Sequence, residues 1–323
     1  MKSVIRIFIL FAALQMTGLS NAYAQQFPSR PVRAIYPFSP GGFGDILLRA
    51  ISAELTKSLG RPVVVENKGG ANTMLGAEAC AKAAPDGHTL CLLTVDTLSY
   101  NPFLYKKPPY DAERDFEPII HLVYLTEGFL VNPAIKVNTL SELIALAKSN
   151  PGGLNYGTPA NNVVIFMEGF KKESGTDIRA VPFKGPGDTV NALLGGQVQV
   201  GFFGIGNLIG HLKAGRVRAL AVDGAARSPL FPEVPTLVEA GYRGVANRVW
   251  LGLFGPAGIP KPIVARINSE VARIVSDPGF KEKYIIALGL EVVLGTTEQF
   301  AQFLKEDRAR AESLVRQSGL QAE

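Results

Sequence analysis

Two kinds of segment alternate along the chain: short runs of apolar and β-branched residues, and longer runs whose apolar residues recur every three or four positions. The short runs predict strands, and the longer runs predict amphipathic helices. Strand runs include VRAIY, PVVVEN, TLCLLT, IRAVPF and VQVGFF, and helical runs include DILLRAISAELTKSL and TLSELIALAKS. This alternation predicts an α/β fold in which helices flank mostly parallel sheets.

Two predicted strand-to-helix corners, far apart in the sequence, each carry proline, glycines and an aspartate. At the start of a helix the backbone N–H groups lack partners, and the helix dipole adds partial positive charge. Glycine lets a bound group approach those N–H groups closely. The corners therefore predict two domains that hold a small anion, a carboxylate or phosphate, in one cleft. The candidate residues are Ser39, Pro40, Gly41, Gly42, Phe43 and Asp45 in the first corner, and Lys184, Gly185, Pro186 and Gly187 in the second.

The alternative for either corner alone is a tight turn that binds nothing. Asp45 and Asp188, at the two predicted helix starts, are interpreted as helix caps, because an acid beside a bound anion would repel it. A cap of this kind can still position a bridging water or the ligand's own hydrogen-bond donor.

The start of the chain has the pattern of a signal peptide. Lys2 and Arg6 come before an apolar core that is too short to span a membrane. The core is followed by Ala22-Tyr23-Ala24, the small-x-small pattern of a cleavage site. The sequence therefore predicts export to the periplasm with cleavage near Ala24. The alternative is a buried N-terminal helix.

Length and charge limit the class of partner. Removal of residues 1–24 leaves 323 − 24 = 299 residues, enough for two domains. The formal net charge falls from +5 to +3, because two basic residues, Lys2 and Arg6, leave with the signal. The remaining lysines and arginines are scattered among acids, whereas a nucleic-acid-binding surface would cluster them. We expect a small-molecule ligand and no nucleic-acid partner.

The two cysteines, Cys80 and Cys91, lie on either side of the turn AAPDGHT. An oxidising compartment permits a disulfide between them. The alternative is two separate buried thiols.

A dinucleotide-binding enzyme is a second function to weigh. Gly42-Phe43-Gly44 begins a Gly-x-Gly-x-x-Gly pattern, and Glu66 ends the next predicted strand, where an acid would bind a ribose. Leu47 stands where the third glycine belongs. The sequence contains no P-loop, nucleophile elbow, metal-ligating histidine pair or Cys-x-x-Cys. We therefore expect a binding protein with no catalytic residues, cofactor or metal.

Several ordered blocks resemble one known family. They include FPSRPVRAIYPFSPGGFGD, NPFLYKKPPYDAERDFEPI, VPFKGPGDTVNALLGGQV and WLGLFGPAGIPKPIVARIN. Across nearly the whole mature chain they resemble the periplasmic solute receptors of tripartite tricarboxylate transporters, the Bug receptors. The resemblance implies a two-lobed periplasmic-binding-protein (Venus-flytrap) fold that closes on a carboxylate and delivers it to membrane permease subunits. It also implies that the two corners hold the anion, partly through waters.

The resemblance also sets expected domain limits. Residues 25–125 and 247–323 would form lobe 1, and residues 126–246 would form lobe 2, so that the chain crosses between lobes twice. We expect a monomer. The alternative function for the same fold is that of a sensory receptor for a membrane kinase.

Three departures from the family pattern bear on the ligand. The stretch after Asn161 is apolar from Val163 on; Phe203 and Gly204 stand where the family has Asp-Asn; and Arg248 precedes Trp250 where small hydroxyl residues are usual. Together with Val164 and Phe166, the apolar residues Val163 and Phe203 are expected to form an apolar wall on lobe 2.

An apolar wall predicts an organic acid with an apolar or aromatic body, rather than citrate or a cationic amino acid. Arg248 could pair with a second carboxylate, which leaves two ligand classes open: a medium-chain or aromatic dicarboxylate, and an aromatic monocarboxylate. Asp96 is the candidate partner for an ammonium group, should the ligand carry one.

Overall fold

The computed structural model describes residues 27–183, 185–224, 226–244 and 248–322. The predicted signal peptide with its cleavage point, and Lys184 of the second corner, lie outside this part of the chain. Within it, no helix combines the length and the apolar character that a membrane crossing requires.

The described residues form eleven strands in two sheets. In chain order they are β1 Val32–Tyr36, β2 Val63–Asn67, β3 Thr89–Thr94, β4 Phe116–Leu125, β5 Glu127–Val131, β6 Leu154–Thr158, β7 Ile178–Pro182, β8 Val200–Gly204, β9 Arg218–Asp223, β10 Trp250–Pro256 and β11 Leu290–Val292. One sheet has six strands in the order β11-β4-β10-β3-β1-β2, and we call the half built on it lobe 1. The other has five strands in the order β7-β6-β8-β5-β9 and forms lobe 2.

Each sheet has a parallel part and reversed strands, which are β10 and β11 in lobe 1 and β5 in lobe 2. β1 pairs in parallel with β2 and β3, and β6 with β7 and β8. β10 and β5 run antiparallel to both of their neighbours. The start of each of these two strands lies beside the end of a parallel strand: Leu251 of β10 is opposite Thr94, and Glu127 of β5 is opposite Gly204. β5 and β10 each enter their sheet from the other lobe, at the carboxyl ends of the parallel strands. The α/β prediction is confirmed, and the sheets are mixed.

Helices cover the faces of both sheets. They are α1 Phe43–Leu59, α2 Met74–Ala81, α3 Asn101–Leu104, α4 Leu140–Ser149, α5 Asn161–Ser174, α6 Pro186–Leu194, α7 Ile209–Lys213, α8 Lys261–Ser276, α9 Pro278–Tyr284 and α10 Thr297–Ser318. A π-helical turn, Asp96–Tyr100, precedes α3, and 3-10 turns span Ile205–Leu208 and Ile286–Leu288. The amphipathic patterns place one face of each long helix on a sheet: α8, for example, buries Ile263, Ile267 and Val271.

The chain passes between the two sheets at two places. β4 ends at Leu125 and β5 begins at Glu127, so the first crossing is at Thr126. The second follows β9 and ends where β10 begins at Trp250. After this return, α10 packs against both β4 of lobe 1 and α5 of lobe 2. The limits expected from the sequence, near residues 125 and 247, remain predictions for the extent of each lobe.

A disulfide links Cys80 of α2 to Cys91 of β3, with 6.2 Å between their Cα atoms. Both residues are fully buried, so the bond lies inside the apolar layer between helix and sheet. It ties α2 to the strand whose carboxyl end leads to Asp96.

We expect replacement of both cysteines by alanine to lower the free energy of unfolding by about 2–3 kcal/mol, because the unfolded chain loses a short cross-link and the core loses two sulfur atoms. Urea unfolding of the double variant and of the wild type measures the difference. A reducing agent should destabilise the wild type and leave the variant unchanged; equal sensitivity of both proteins would contradict a structural disulfide.

Candidate functional site

A small cavity of about 40 Å³ lies between the two lobes. It is bounded by the carboxyl ends of β1, β3, β6 and β8 and by both crossings, which is where ligands bind in open α/β sheets. A cavity needs about 10–15 Å³ of volume to hold one water, so this cavity has room for about three waters. Lobe 1 contributes Tyr36, Phe38, Phe43, Thr94, Asp96, Leu125, Val249 and Leu251, and lobe 2 contributes Glu127, Pro159, Ala160, Asn162, Val163, Pro186, Phe203 and Gly204.

A wider basin of about 520 Å³ lies next to this cavity. Its lining includes Ser39 and residues 69–73 from lobe 1, and Phe183 from lobe 2. Phe38 and Pro159 line both spaces, so they form the wall between them. The basin is therefore the outer part of the cleft, and Ser39 belongs to it rather than to the inner cavity.

The three glycines of the first corner have different reasons to be glycine. A Cβ on Gly44 would lie 2.2 Å from the hydroxyl of buried Tyr36, so Gly44 is required for packing. Gly41 has φ +93°, a conformation that favours glycine. Gly42 is extended, with φ −78°, and a Cβ there would meet no protein atom within 4 Å. Neither backbone strain nor packing against the protein therefore requires a glycine at position 42.

Asp45 holds this corner in place from within. Its Oδ2 accepts hydrogen bonds from Gly41 N–H at 3.1 Å and Arg49 Nε at 3.0 Å, and its Oδ1 accepts from Asn67 Nδ2 at 2.9 Å. Burial of Asp45 opposes ionisation, but these hydrogen bonds and the charge of Arg49 outweigh it and lower the pKa of the carboxyl. Asp45 is thus an ionised residue that positions the loop and does not line the cavity.

The second corner presents the N-terminus of α6. Its first residue, Pro186, lines the cavity, and its N-cap, Gly185, is buried. Thr189 Oγ1 donates to the Gly185 carbonyl at 3.1 Å and fixes the turn. Gly185 has extended backbone, with φ 173°, and open space where a Cβ would stand. Gly187 is exposed.

Asp96 contributes a buried carboxyl group to the cavity. It begins the π-helical turn after β3 and is 2 % exposed. Its Oδ1 accepts a hydrogen bond from Asn162 N–H, at the start of α5 on the other lobe, at 2.7 Å. Burial raises the pKa of Asp96 to about 7, although backbone hydrogen bonds from residues including Asn162 and Asn161 pull it the other way.

The side chains of two asparagines flank this contact: that of Asn162 bonds within lobe 2, and that of Asn161 bonds across to lobe 1. Asn162 Nδ2 donates to Glu127 Oε1 at 3.1 Å, so one asparagine joins two buried acids. Asn161 Nδ2 donates to Asn101 Oδ1 at 3.0 Å and to the Tyr105 hydroxyl at 3.3 Å. The start of α5 is therefore bound to lobe 1, and Asn161 acts in this contact between lobes rather than in the cavity lining.

A second buried acid anchors the turn that carries Asp96. Asp307, on α10, accepts hydrogen bonds from Ser99 Oγ at 2.6 Å and from Trp250 Nε1 at 2.8 Å. Tyr110 donates to the Thr97 carbonyl at 2.7 Å on the other side of the turn. These contacts fix the position of the Asp96 carboxyl group relative to β10 and α10.

The apolar wall predicted on lobe 2 is formed in part. Val163 and Phe203 line the cavity. Val164 is half-buried and does not line it. Phe166 stacks on Phe202, with 3.7 Å between ring centroids, inside the core of lobe 2. The structure completes the wall from lobe 1 instead, with Tyr36, Phe38, Phe43, Leu125, Val249 and Leu251.

Arg248 lies away from the inner cavity. Its guanidinium donates to Glu291 at 3.0 Å and stacks 3.9 Å from the centroid of the Tyr124 ring. It lines a different cavity, of about 670 Å³, together with Arg227 and Ile286. The structure therefore does not bring Arg248 together with the two corners.

Two lining residues, Glu127 and Asn162, and most of the lobe 1 wall were not predicted from the sequence. Glu127 could have been found from the sequence, because an acid inside the apolar run that follows the first crossing indicates a buried polar site. Glu66, considered there as a ribose ligand, instead forms ion pairs with Arg33 at 2.7 Å and Lys68 at 3.0 Å. Among the described residues, no cluster of histidine, cysteine or acids could hold a metal ion.

Two α/β lobes, joined by crossing segments and enclosing a cavity between helix N-termini, define a two-lobed solute-binding protein. A family model described as "Tripartite tricarboxylate transporter family receptor" matches residues 47–320. The chain belongs to this receptor family, as the resemblance of its sequence blocks had predicted.

Solved structures show the same fold. The periplasmic binding protein BugD is 30% identical, with a TM-score of 0.86, over 92% of this chain and 100% of BugD. Rpa4515 of R. palustris, solved with adipate, is 29% identical, with a TM-score of 0.88, over 92% of this chain and 100% of its own. MatC of Rhodopseudomonas palustris, solved with bound malate, is 33% identical, with a TM-score of 0.83, over 90% of this chain and 100% of MatC. The prediction of a periplasmic-binding-protein fold is confirmed.

We expect Gly42→Val and Gly185→Val each to weaken carboxylate binding at least tenfold while the melting temperature changes little. Both positions have backbone angles that valine adopts and open space where its side chain would project, so the loss would come from blocking the ligand. Titration calorimetry and thermal unfolding measure the two effects. Gly210→Val is the control, because Gly210 is exposed on α7 and a Cβ there also meets no protein atom. Unchanged affinity in both corner variants would show that the corners are plain turns.

Proposed function

We propose that this chain is an exported periplasmic receptor, and not an enzyme, that binds a small organic carboxylate with an apolar or aromatic body between its lobes. It acts as a monomer and delivers the ligand to the membrane permease subunits of a tripartite tricarboxylate transporter. One observation carries the proposal: Phe43 and Pro186, from the helix N-terminal corners of the two lobes, line one cavity together with an apolar wall.

The corners supply the attraction for a carboxylate. The first turns of α1 and α6 leave backbone N–H groups without helical partners, and both helix dipoles place partial positive charge there. Hydrogen bonds to an ionised group contribute about 1.5–3 kcal/mol each. Four or five of them, less the cost of ordering the ligand, are enough for micromolar binding, which corresponds to about 8 kcal/mol.

The wall supplies the preference for an apolar body. Phe43, Val163, Phe203 and Leu251 offer hydrocarbon surface, and burial of hydrocarbon contributes about 25 cal/mol per Å². A hydroxyl-rich acid such as citrate would leave groups without partners against this wall, at about 1–3 kcal/mol each. The adipate and malate in the two related structures support the carboxylate as the shared element.

Ligand entry requires the lobes to separate. A six-carbon acid is larger than the three waters that the inner cavity can hold, and the Asn161 side chain and the Asn162 N–H hold the lobes together at its edge through hydrogen bonds. The crossings at Thr126 and before Trp250 are the segments that connect the two sheets, and we propose that they are the hinge.

We expect purified protein to bind benzoate-type or medium-chain acids with micromolar dissociation constants, and to show no binding of NAD and no turnover of the bound acid. Thermal shift followed by titration calorimetry measures this on a panel that also contains glutamate and citrate. Phosphate serves as a control for simple anion binding. Tight binding of citrate or glutamate, without heat from the apolar acids, would contradict the apolar-body proposal; NAD binding or turnover would contradict the receptor.

A further inference from the structure

The N-terminus of α5 faces the cavity and is already occupied by a carboxyl group of the protein itself. Asn162 N–H donates to Asp96 Oδ1 at 2.7 Å, and Asp96 belongs to the other lobe. With 2 % exposure, the Asp96 carboxyl group is part of the inner surface of the cavity. At the α1 and α6 corners, by contrast, Gly42 and Gly185 leave open space beside the backbone.

The rest of the cavity also lacks a place for a second carboxylate. Glu127, 3 % exposed, is a further acid in the lining and shares Asn162 with Asp96. None of the described lining residues is a lysine or an arginine. Arg248, the candidate partner for a second carboxylate, pairs with Glu291 and Tyr124 outside the cavity. A dicarboxylate with one end at the corners would place its other end among apolar residues and buried acids.

We propose that Asp96 makes this receptor selective for monocarboxylates, because it fills the anion-binding end of α5 and repels a second carboxylate in the cavity. The ligand's single carboxylate lies at the α1 and α6 corners, and its uncharged apolar body faces Asp96 and Val163. The proposal rests on the proposed function and names its ligand class. It separates this chain from Rpa4515 and MatC, which were solved with dicarboxylates.

The decisive comparison uses two acids with the same carbon chain, hexanoate and adipate. We expect titration calorimetry of the wild type at about pH 8 to give at least tenfold tighter binding of hexanoate, because like charges in a poorly solvated cavity repel strongly.

Asp96→Asn removes the charge and keeps a side-chain oxygen that can accept the Asn162 N–H. We expect this variant to bind adipate at least tenfold more tightly than the wild type does, so that its preference for hexanoate over adipate falls. Glu142→Gln is the matched control: Glu142 Oε2 also accepts a backbone N–H, from Asn138 at 2.6 Å, beside the start of a lobe 2 helix, but on the exposed surface. The ratio of its hexanoate affinity to its adipate affinity should equal that of the wild type.

A pH series on the wild type tests the same charge without any substitution. Because the pKa of Asp96 is raised to about 7, the group is mostly ionised at about pH 8 and mostly neutral at about pH 6.5, whereas both ligands remain ionised. Adipate affinity should therefore rise as the pH falls through this window. The other titratable groups nearby are Glu127 from β5, Asp307 from α10, and the buried Tyr36, Tyr100 and Tyr110, whose pKa values burial raises, so the three tyrosines stay neutral throughout.

The outcomes separate this inference from the proposed function. Adipate binding as tight as hexanoate in the wild type, or an Asp96→Asn variant with an unchanged ratio, would overturn the monocarboxylate selectivity and leave a carboxylate receptor. If the variant fails to fold, an adipate affinity of the wild type that does not change with pH would also overturn the monocarboxylate selectivity. Binding of neither acid, nor of any other carboxylate in the panel, would overturn both.

Discussion

One hydrogen bond across the cleft, from Asn162 N–H of lobe 2 to the Asp96 carboxyl group of lobe 1, sets the character of the site. It fixes the closed distance between the lobes at the inner edge of the cavity. It also satisfies the N-terminus of α5 with the protein's own acid, and among the described cavity-lining elements this leaves the α1 and α6 corners as the helix N-termini that we propose bind the ligand. The position of Asp96 depends in turn on Asp307, which ties the π-helical turn to Trp250 and α10.

Burial of this carboxyl group has an energetic consequence. An ionised carboxylate loses several kcal/mol of hydration when it leaves water, and only part of this returns through backbone hydrogen bonds. The balance appears as a pKa raised to about 7. Asp45 shows the opposite balance at the first corner, where Arg49 and three hydrogen bonds lower the pKa. One cleft therefore contains an acid that holds a loop as a permanent anion and another that changes charge near neutral pH.

The sequence predicted the parts of the site that depend on local chain geometry. Both corners follow from residue type and spacing, and the positions of Val163 and Phe203 follow from the family resemblance; the structure places the corners beside the cavity and the two apolar residues in its wall. Arg248 and Phe166 could not be located in the same way. Their positions depend on partners distant in sequence, Glu291 for one and the Phe202 ring for the other. The link between Asp96 and Asn162 joins residues on different lobes, and no local pattern reports such a contact.

The most direct test of the account is a crystal structure of the protein with hexanoate or benzoate. The account predicts one ligand carboxylate hydrogen-bonded at the first turns of α1 and α6, its hydrocarbon against Phe43, Val163 and Phe203, and the Asp96–Asn162 hydrogen bond intact. A ligand carboxylate bound at the N-terminus of α5 in place of Asp96, or a ligand bound outside the cleft, would contradict it.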